Sequence, residues 1–446
     1  MTKQQIYQII HNPKWIKLLT FAFTALLGFR LFYFVHTHTA NVLYMDQWDI
    51  YRGLFQDFNL WEAFRLQHGS HRQGIGALLS YGLAHLTGLS SFWEAHTMVS
   101  ISILNSALAV WLLRKLIGHW HVAFALIPFL FINISSYEVY LGAPNPAHGL
   151  LPQTLALLIA ACHFLKNNYL KTALLSVLLF LIMHTGYGYF MVFFYALFAF
   201  AELLSNIKQK KHLFLSSTFF VIIAAILGCF FINYATPMST EEKQSIGLHY
   251  LWKLPAFATG LFSRTLGASR VNFVMLPAAL VLGSLIFFSV RDYFSLLLNK
   301  KLITKERKIL LILAGFSLLF TFAASFGRAP GGIGASISSR YIPFITLGLL
   351  AFMAYWIQSK HKWSLKVLFA FSIFFSIQEL RPRGRDAKSA QEFYQGKLDF
   401  KNCYLQSEDF DKCNNQVDFY IYPPKISGRI PPRLDFLKER DWSLFK

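Results

Sequence analysis

Two carboxylates, Asp46 and Asp49, follow the first long apolar segment of the chain. That segment, residues 15–35, is long enough to cross a bilayer, which takes about 20 residues. Residues three apart on a helical turn share a face, so both carboxylates could point into one cavity. A carboxylate at the mouth of a membrane cavity is partly desolvated, which raises its pKa and suits a general base. The alternative is an ordinary acidic loop beside a span, with Trp48 and Tyr44 in the aromatic belt.

A basic cluster rich in histidine comes next, at Arg65, His68, His71 and Arg72. If this stretch is helical, positions 65, 68 and 72 share a face. Guanidinium and imidazole groups on such a face could hold a phosphate or diphosphate. The alternative is a surface that faces water or lipid headgroups. A metal site is less favoured, because His-x-x-His alone is a weak motif, although one of the two aspartates could complete it.

A second group of candidate residues lies late in the chain, at Arg328, Arg340 and Tyr341. They flank a glycine-rich loop, and the two arginines could clamp the same anion. The alternative is a connecting loop with arginines at the membrane edge. His148 and Tyr187 lie at other predicted span ends, where a single such residue is more often structural than functional.

Composition identifies the class of protein. The chain has 446 residues, of which 55% are hydrophobic and only 14% are charged, against roughly 25% charged in a soluble domain. Apolar runs recur from end to end and do not alternate with a period of two, which predicts an all-α polytopic membrane protein. The net charge of +20 is concentrated in short loops, as the topology rule expects. We therefore predict no nucleic-acid partner.

The apolar runs predict about eleven transmembrane helices, with the N-terminus in the cytoplasm so that each short lysine cluster is also cytoplasmic. Spans are predicted at about residues 15–35, 98–116, 122–134, 150–165, 213–234, 273–290, 309–326 and 365–377, with three more between Lys171 and His184, Tyr189 and Lys208, and Tyr341 and Lys360.

This topology divides the chain into a transmembrane domain, residues 1–378, and a small external tail, 379–446. The first external loop, 37–96, has helix-like apolar spacing at Ile50–Phe64 and Ile75–Leu86, which predicts interfacial helices. The alternative for the second of these is a short extra span. In the tail, Cys403 and Cys413 are close enough in sequence for a disulfide outside the cytoplasm.

These features together resemble the polytopic glycosyltransferases of the GT-C class over about residues 10–380. The shared features are an acidic motif at the outer end of the first span, a first external loop with interfacial helices and many further spans. The motif Asp46-Gln47-Trp48-Asp49 with His68-Gly69-Ser70-His71-Arg72 is also similar to that of bacterial membrane glycosyltransferases. The acidic residues of the class are usually adjacent or one apart, whereas here they are three apart.

The resemblance implies a membrane glycosyltransferase whose donor is a polyprenyl-phosphate-linked sugar and whose acceptor is an envelope glycan, lipid or protein, in a bacterial inner membrane. Asp46, with Asp49 as the substitute, would take the acceptor proton, and transfer would invert the anomeric centre. A metal is not required in this scheme. The departing phosphate would be neutralised by Arg328 and Arg340 together with Arg65, His71 or Arg72. A sugar face would stack on Trp48, Tyr44 or Tyr187, and His68 and Tyr341 are further substrate-binding residues.

Two other functions remain open from the sequence. A polymerase or ligase of lipid-linked polysaccharide would use the external arginines without needing an early acidic pair. A transporter or flippase of lipid-linked sugars would carry charged residues in several spans and internal repeats. The predicted spans contain chiefly Arg30, and no repeat is evident.

Overall fold

The computed structural model describes residues 12–142, 145–209, 213–235, 248–268, 273–298, 303–359, 384–417 and 419–446. Within these ranges the chain is almost entirely helical, which confirms the predicted all-α class. The helices are α1 (Pro13–His38), α2 (Gln47–Ile50), α3 (Arg52–Phe55), α4 (Leu60–Arg65), α5 (Gly74–Thr87), α6 (Ser91–Ile117), α7 (Ile127–Phe131), α8 (Leu150–Cys162), α9 (Asn168–Met183), α10 (Tyr189–Gln209), α11 (Leu213–Phe231), α12 (Leu254–Thr265), α13 (Met275–Leu297), α14 (Lys305–Arg328), α15 (Ile342–Gln358), α16 (Gly384–Ser407), α17 (Phe410–Gln416) and α18 (Pro431–Glu439).

The remaining regular structure is short. One antiparallel hairpin joins β1 (Gln67–His68) to β2 (His71–Arg72). Helical turns lie at Val122–Leu126, Ile134–Ser136, Pro146–His148, Leu248–Lys253, Ala329–Gly331, Ile333–Ile337, Ser339–Tyr341, Pro424–Arg429 and Ser443–Phe445, with a single π-helical turn at Glu138–Gly142.

Seven of the described helices are long and apolar enough to cross a membrane, so the predicted membrane character is confirmed. Each coincides with a predicted span, and three shorter apolar helices coincide with predicted spans three to five. The predicted eleventh span, 365–377, lies outside the described residues, so the count of eleven stays a prediction. The seven long helices are Pro13–His38, Ser91–Ile117, Tyr189–Ile207, Leu213–Phe231, Met275–Leu297, Lys305–Gly331 and Ser339–Gln358.

The all-helical architecture follows from the hydrocarbon interior of the lipid bilayer. A backbone in lipid must satisfy its own hydrogen bonds, which a helix does within one segment. The outward surfaces are apolar, with large exposed side chains such as Phe21, Phe29 and Phe214. Buried polar side chains join neighbouring helices: Asn105 of α6 donates to Gln153 of α8 at 2.9 Å. Such interhelical hydrogen bonds add specificity where lipid supplies no hydrophobic drive.

The first loop departs from prediction in its first half. Residues 50–64 do not form one interfacial helix, because Asp57 adopts a positive φ of 50° and Asn59 starts a new helix through a capping box. Helix α5 is present where a helix was predicted. Its 14 residues span only about 21 Å, which is shorter than a bilayer core of about 30 Å.

The tail packs onto the first loop. Helices α16 to α18 share an apolar cluster with residues of the first loop, including Trp48 and Tyr81. Cys403 and Cys413 form a disulfide within the tail. Deeper contacts fix the start of α16, where Arg264 of α12 pairs with Asp386 at 3.0 Å and both side chains are almost fully buried.

Candidate functional site

The β1–β2 hairpin sets the positions of two histidines. His68 and His71 face each other across the hairpin. The turn between them needs Gly69, whose φ is 58°, a conformation that glycine adopts without strain. Strand β2 is bridged to Gly186, whose N–H donates to the Arg72 carbonyl at 2.8 Å. The hairpin therefore holds His71 against the segment between α9 and α10.

Asp46 and His68 form a carboxylate–imidazole pair beside the hairpin. Asp46 Oδ1 lies 3.6 Å from His68 Nε2, and the Asp46 side chain is 45% exposed. The pairing with His68 lowers the pKa of Asp46 below its ordinary value, overcoming burial, while the charge of Arg340 acts in the same direction. Burial opposes protonation of His68, yet Asp46 raises the His68 pKa above its ordinary value. The expected upward shift at Asp46 is therefore wrong, because a paired imidazole outweighs desolvation.

His71 and His148 form a second, buried pair. Their Nε2 atoms lie 2.9 Å apart, so one ring donates and the other accepts. Burial lowers the pKa of His71, and burial also lowers the pKa of His148 to about 4. Both imidazoles are therefore neutral near pH 7. The His148 ring centroid lies 6.1 Å from that of His68, which places the two pairs side by side.

A tight turn places His148. Within the turn, the Asn145 side chain accepts from Ala147 N–H and donates to Gln73 at 2.8 Å. The turn packs so closely that a Cβ on Gly186 would meet the Ala147 carbonyl oxygen, and a Cβ on Gly76 would meet the Ala147 side chain. The sequence around His148 carries little signal of this site, because the residues that pack against the turn are distant in the chain. Gln73 lies 72 residues before Asn145, and Gly186 lies in the segment between α9 and α10. We call His68, His71 and His148, with Asp46 and Tyr187 at the two ends, the histidine cluster.

Tyr187 links the histidine cluster to two arginines. Its ring centroid lies 4.5 Å from that of His71. Burial raises the pKa of the Tyr187 hydroxyl, while the charges of Arg328 and Arg340 and a hydrogen bond from Arg328 oppose that rise. The two late arginines predicted as anion ligands therefore lie near the same hydroxyl.

Arg340 is exposed and held in place by its neighbours. Its guanidinium lies 5.4 Å from the centroid of the Tyr341 ring, which is buried. The Arg340 backbone N–H donates to Glu138 at 3.3 Å, and Ser338 donates to the same carboxylate at 2.7 Å. Tyr341 thus supports Arg340, and the Arg340 side chain stays available to an anion.

Two predicted site residues make structural contacts. Asp49 accepts from the Tyr422 hydroxyl at 2.9 Å and lies 3.5 Å from Arg433 of the tail. Trp48 is completely buried, and its indole N–H donates to the Leu43 carbonyl. Trp48 as a stacking surface is therefore wrong, because a completely buried ring cannot meet a sugar. Asp49 joins the first loop to the tail, and its role as a substitute base stays a prediction.

Arg65 and Arg72 lie away from Asp46. The predicted helical face through 65, 68 and 72 is wrong, because successive strand residues point to opposite sides of a hairpin. The buried Arg72 guanidinium donates to the Phe230 and Ile232 carbonyls and so caps the end of α11. Arg65 also donates to the Ile232 carbonyl. Arg65 and Arg52 both line a separate groove, whose volume is about 550 Å³.

The described residues contain no group of three or more His, Cys, Asp or Glu side chains placed to hold a metal ion. Comparisons with protein-family models, curated proteins and solved structures find no match for this chain. Function is therefore inferred from the residues of the site: a carboxylate–imidazole pair, a buried neutral histidine pair and two arginines.

Proposed function

We propose that the protein is a GT-C-like membrane glycosyltransferase that moves a sugar from a polyprenyl-phosphate donor to an envelope acceptor. The observation that carries this proposal is the continuity of the histidine cluster, in which Asp46 pairs with His68 at one end and Tyr187 accepts a hydrogen bond from Arg328 at the other. The charge of Arg340 acts on both ends. A proton acceptor and a phosphate ligand thereby share one end of the helix bundle. Both are required for displacement at an anomeric carbon with a phosphate leaving group.

Asp46 would be the base. The acceptor hydroxyl oxygen attacks the anomeric carbon, the bond from that carbon to the phosphate oxygen breaks, and the hydroxyl proton passes to Asp46. A low pKa makes Asp46 a weak base in the resting site. The acceptor hydroxyl becomes strongly acidic as its new bond to carbon forms, so a weak base can take the proton late in the reaction. Direct attack inverts the anomeric centre.

Arg340 and Arg328 would receive the phosphate. The leaving phosphate gains negative charge as the sugar departs, and fixed guanidinium groups stabilise that charge without reorganising. His68, whose pKa is raised by Asp46, adds a third positive charge when protonated. Charge development at the phosphate is thus met by protein groups, and the scheme needs no metal.

The membrane placement belongs to this proposal. The donor lipid would remain in the bilayer while its sugar-phosphate reaches the histidine cluster at the surface. The topology rule puts that surface outside the cytoplasm, with the N-terminus inside and the tail outside, in a bacterial inner membrane.

A deletion strain tests the function. Envelope glycans, lipids and glycoproteins are compared between the parent, the deletion strain and the deletion strain carrying the wild-type gene. We expect one sugar to be missing on deletion and restored by the gene, with the unmodified acceptor accumulating. An envelope of unchanged composition would contradict the proposal.

Arg340→Ala should weaken use of the donor selectively. The guanidinium is exposed and its expected contact is the donor phosphate, so the donor KM should rise about tenfold or more while the acceptor KM stays within about twofold. Steady-state kinetics with a polyprenyl-phosphate sugar measure both. Arg440→Ala removes another exposed arginine, in the tail, and should leave both constants unchanged. Equal effects on the two substrates would move the phosphate site elsewhere.

His68→Ala should move the acid limb of the pH–rate profile upward. Asp46 must be ionised to accept a proton, and His68 is the main group that lowers its pKa. Without His68, burial remains and the Asp46 pKa rises, so activity should fail at a pH higher by about one unit or more. Profiles of kcat/KM against pH measure the shift. His119→Ala, far from Asp46 in sequence, serves as the control, and an unmoved acid limb would exclude Asp46 as the titrating base.

A polysaccharide ligase is the second candidate, favoured by the low pKa of Asp46, which weakens that residue as a base. Such an enzyme would depend on Arg340 and the histidine cluster and not on the Asp46 carboxylate. The behaviour of Asp46→Asn separates the two candidates.

A further inference from the structure

A second polar cavity lies at the other end of the helix bundle from Asp46. Its volume is about 420 Å³, within the range of ligand sites, which is roughly 300–1,000 Å³. It is lined by Lys305 and Lys308 in the first turns of α14, whereas Arg328 ends the same helix. Twenty residues of helix separate Lys308 from Arg328, about 30 Å, which matches the thickness of a bilayer core.

The cavity is positively charged. Lys171, Lys305 and Lys308 line it together with one carboxylate, Glu202. Lys308 pairs with Glu202 at 2.5 Å. Three lysines against one glutamate leave a net charge of +2 for an incoming anion.

The helix ends reinforce this charge. Helices α9 and α14 both begin at the cavity, with 16 and 24 residues, and the positive end of each helix dipole favours an anion. Asn167 and Thr304 already accept first-turn N–H groups. Direct contacts to a bound anion would therefore come from the lysines, and the dipoles would add to the field.

Exposed apolar side chains lie next in sequence to Asn168 and Leu215, two residues that line the cavity. Tyr169 and Leu170 at the start of α9, and Leu213 and Phe214 at the start of α11, are all exposed. Leu175 and Leu215 continue the apolar lining into the cavity. A soluble phosphate gains no binding energy from such an apolar surface. A lipid whose phosphate enters the cavity can lay its acyl chains along α9 and α11.

We propose that this lysine pocket binds the phosphate headgroup of an anionic membrane lipid, in the leaflet opposite the histidine cluster. Basic pockets between transmembrane helices at the cytoplasmic surface suit anionic headgroups, because that leaflet is negatively charged. The proposal is independent of the glycosyltransferase reaction, since it uses none of the residues of the histidine cluster.

The test measures lipid binding to the full chain in phosphatidylcholine nanodiscs that contain increasing fractions of phosphatidylglycerol. Native mass spectrometry counts the phosphatidylglycerol molecules that remain bound. Lys171→Gln combined with Lys305→Gln should weaken retention about tenfold or more, because each surface lysine contributes several-fold to anionic-lipid affinity. Arg114→Gln combined with Lys115→Gln removes the same charge from the end of α6 and should have no comparable effect.

Glu202→Gln should change lipid retention in the opposite direction. It removes the one lining carboxylate and frees Lys308, so phosphatidylglycerol retention should increase. A double lysine variant that merely misfolds cannot account for a gain in the glutamate variant. If the double lysine variant and its control lost phosphatidylglycerol retention equally, general surface charge would explain the effect, and the proposal would be overturned. Complete displacement of the bound phosphatidylglycerol by inorganic phosphate would assign the pocket to a soluble phosphate and would also overturn the proposal.

Discussion

Asp46→Asn should lower kcat by about 10²- to 10⁴-fold, the usual contribution of a positioned general base. The amide keeps the size of the side chain and can still meet His68, but it cannot accept the acceptor proton. Donor binding should persist, because Arg340 and Arg328 are untouched. Single-turnover transfer from a labelled polyprenyl-phosphate sugar measures the chemical step. A separate binding assay measures the affinity for the donor.

Asp49→Asn is the matched control for this prediction. It makes the same chemical change three residues away, but its carboxylate accepts from Tyr422 and pairs with Arg433. We expect a lower midpoint of thermal unfolding with chemistry retained in the folded fraction. Loss of chemistry in Asp49→Asn with Asp46→Asn fully active would reverse the two roles. Full activity in both would favour the ligase.

The helical spans could be predicted from sequence because lipid leaves the backbone few alternatives. An apolar run must close its hydrogen bonds within the segment, so a run such as 213–234 predicts a helix almost unaided. The described helix Leu213–Phe231 lies within that prediction. Helix ends were less well predicted, since α6 starts at Ser91 where the apolar count began at residue 98.

The site was only partly predictable because long-range contacts build it. Asp46, His68 and Arg340 were identified from residue type and from their position at span ends. The structure pairs Asp46 with His68, and the charge of Arg340 acts on the Asp46 carboxyl. His148 was discounted, because its partner His71 lies 77 residues earlier. The hairpin was missed for the same reason: four residues carry little periodicity, and its stabilising bridge is to Gly186. The contacts of Asp49 could not be predicted either, because its partners Tyr422 and Arg433 lie in the tail.

The tail was predicted as a small external appendage, but its first helix is anchored by buried polar contacts. Arg264 donates to Asp386 at 3.0 Å and to the Ser135 carbonyl at 3.0 Å, and the pair is 3% exposed. Further along α16, the buried Lys397 donates to the Leu141 carbonyl at 2.8 Å. Burial lowers the pKa of Lys397 to about 7. Hydropathy alone could not reveal this anchoring, because the residues involved are polar.

Arg264→Ala should therefore destabilise the protein by roughly 3 kcal/mol or more. Removing one partner of a buried ion pair costs far more than the pair contributes net, because the remaining charge loses its strongest compensation. Here Asp386 would lose the arginine, and the Ser135 carbonyl would lose a donor. Chemical denaturation in detergent, followed by tryptophan fluorescence, should give a lower midpoint, and protease should cut the tail sooner.

Two comparisons make this result interpretable. Lys388→Ala removes an exposed ion pair with Glu392 from the same helix and should cost less than about 1 kcal/mol, because water screens such pairs. Arg264→Met combined with Asp386→Leu removes both buried charges and should recover much of the lost stability. An Arg264→Ala protein as stable as wild type would mean that α16 does not rest on α12 through this pair.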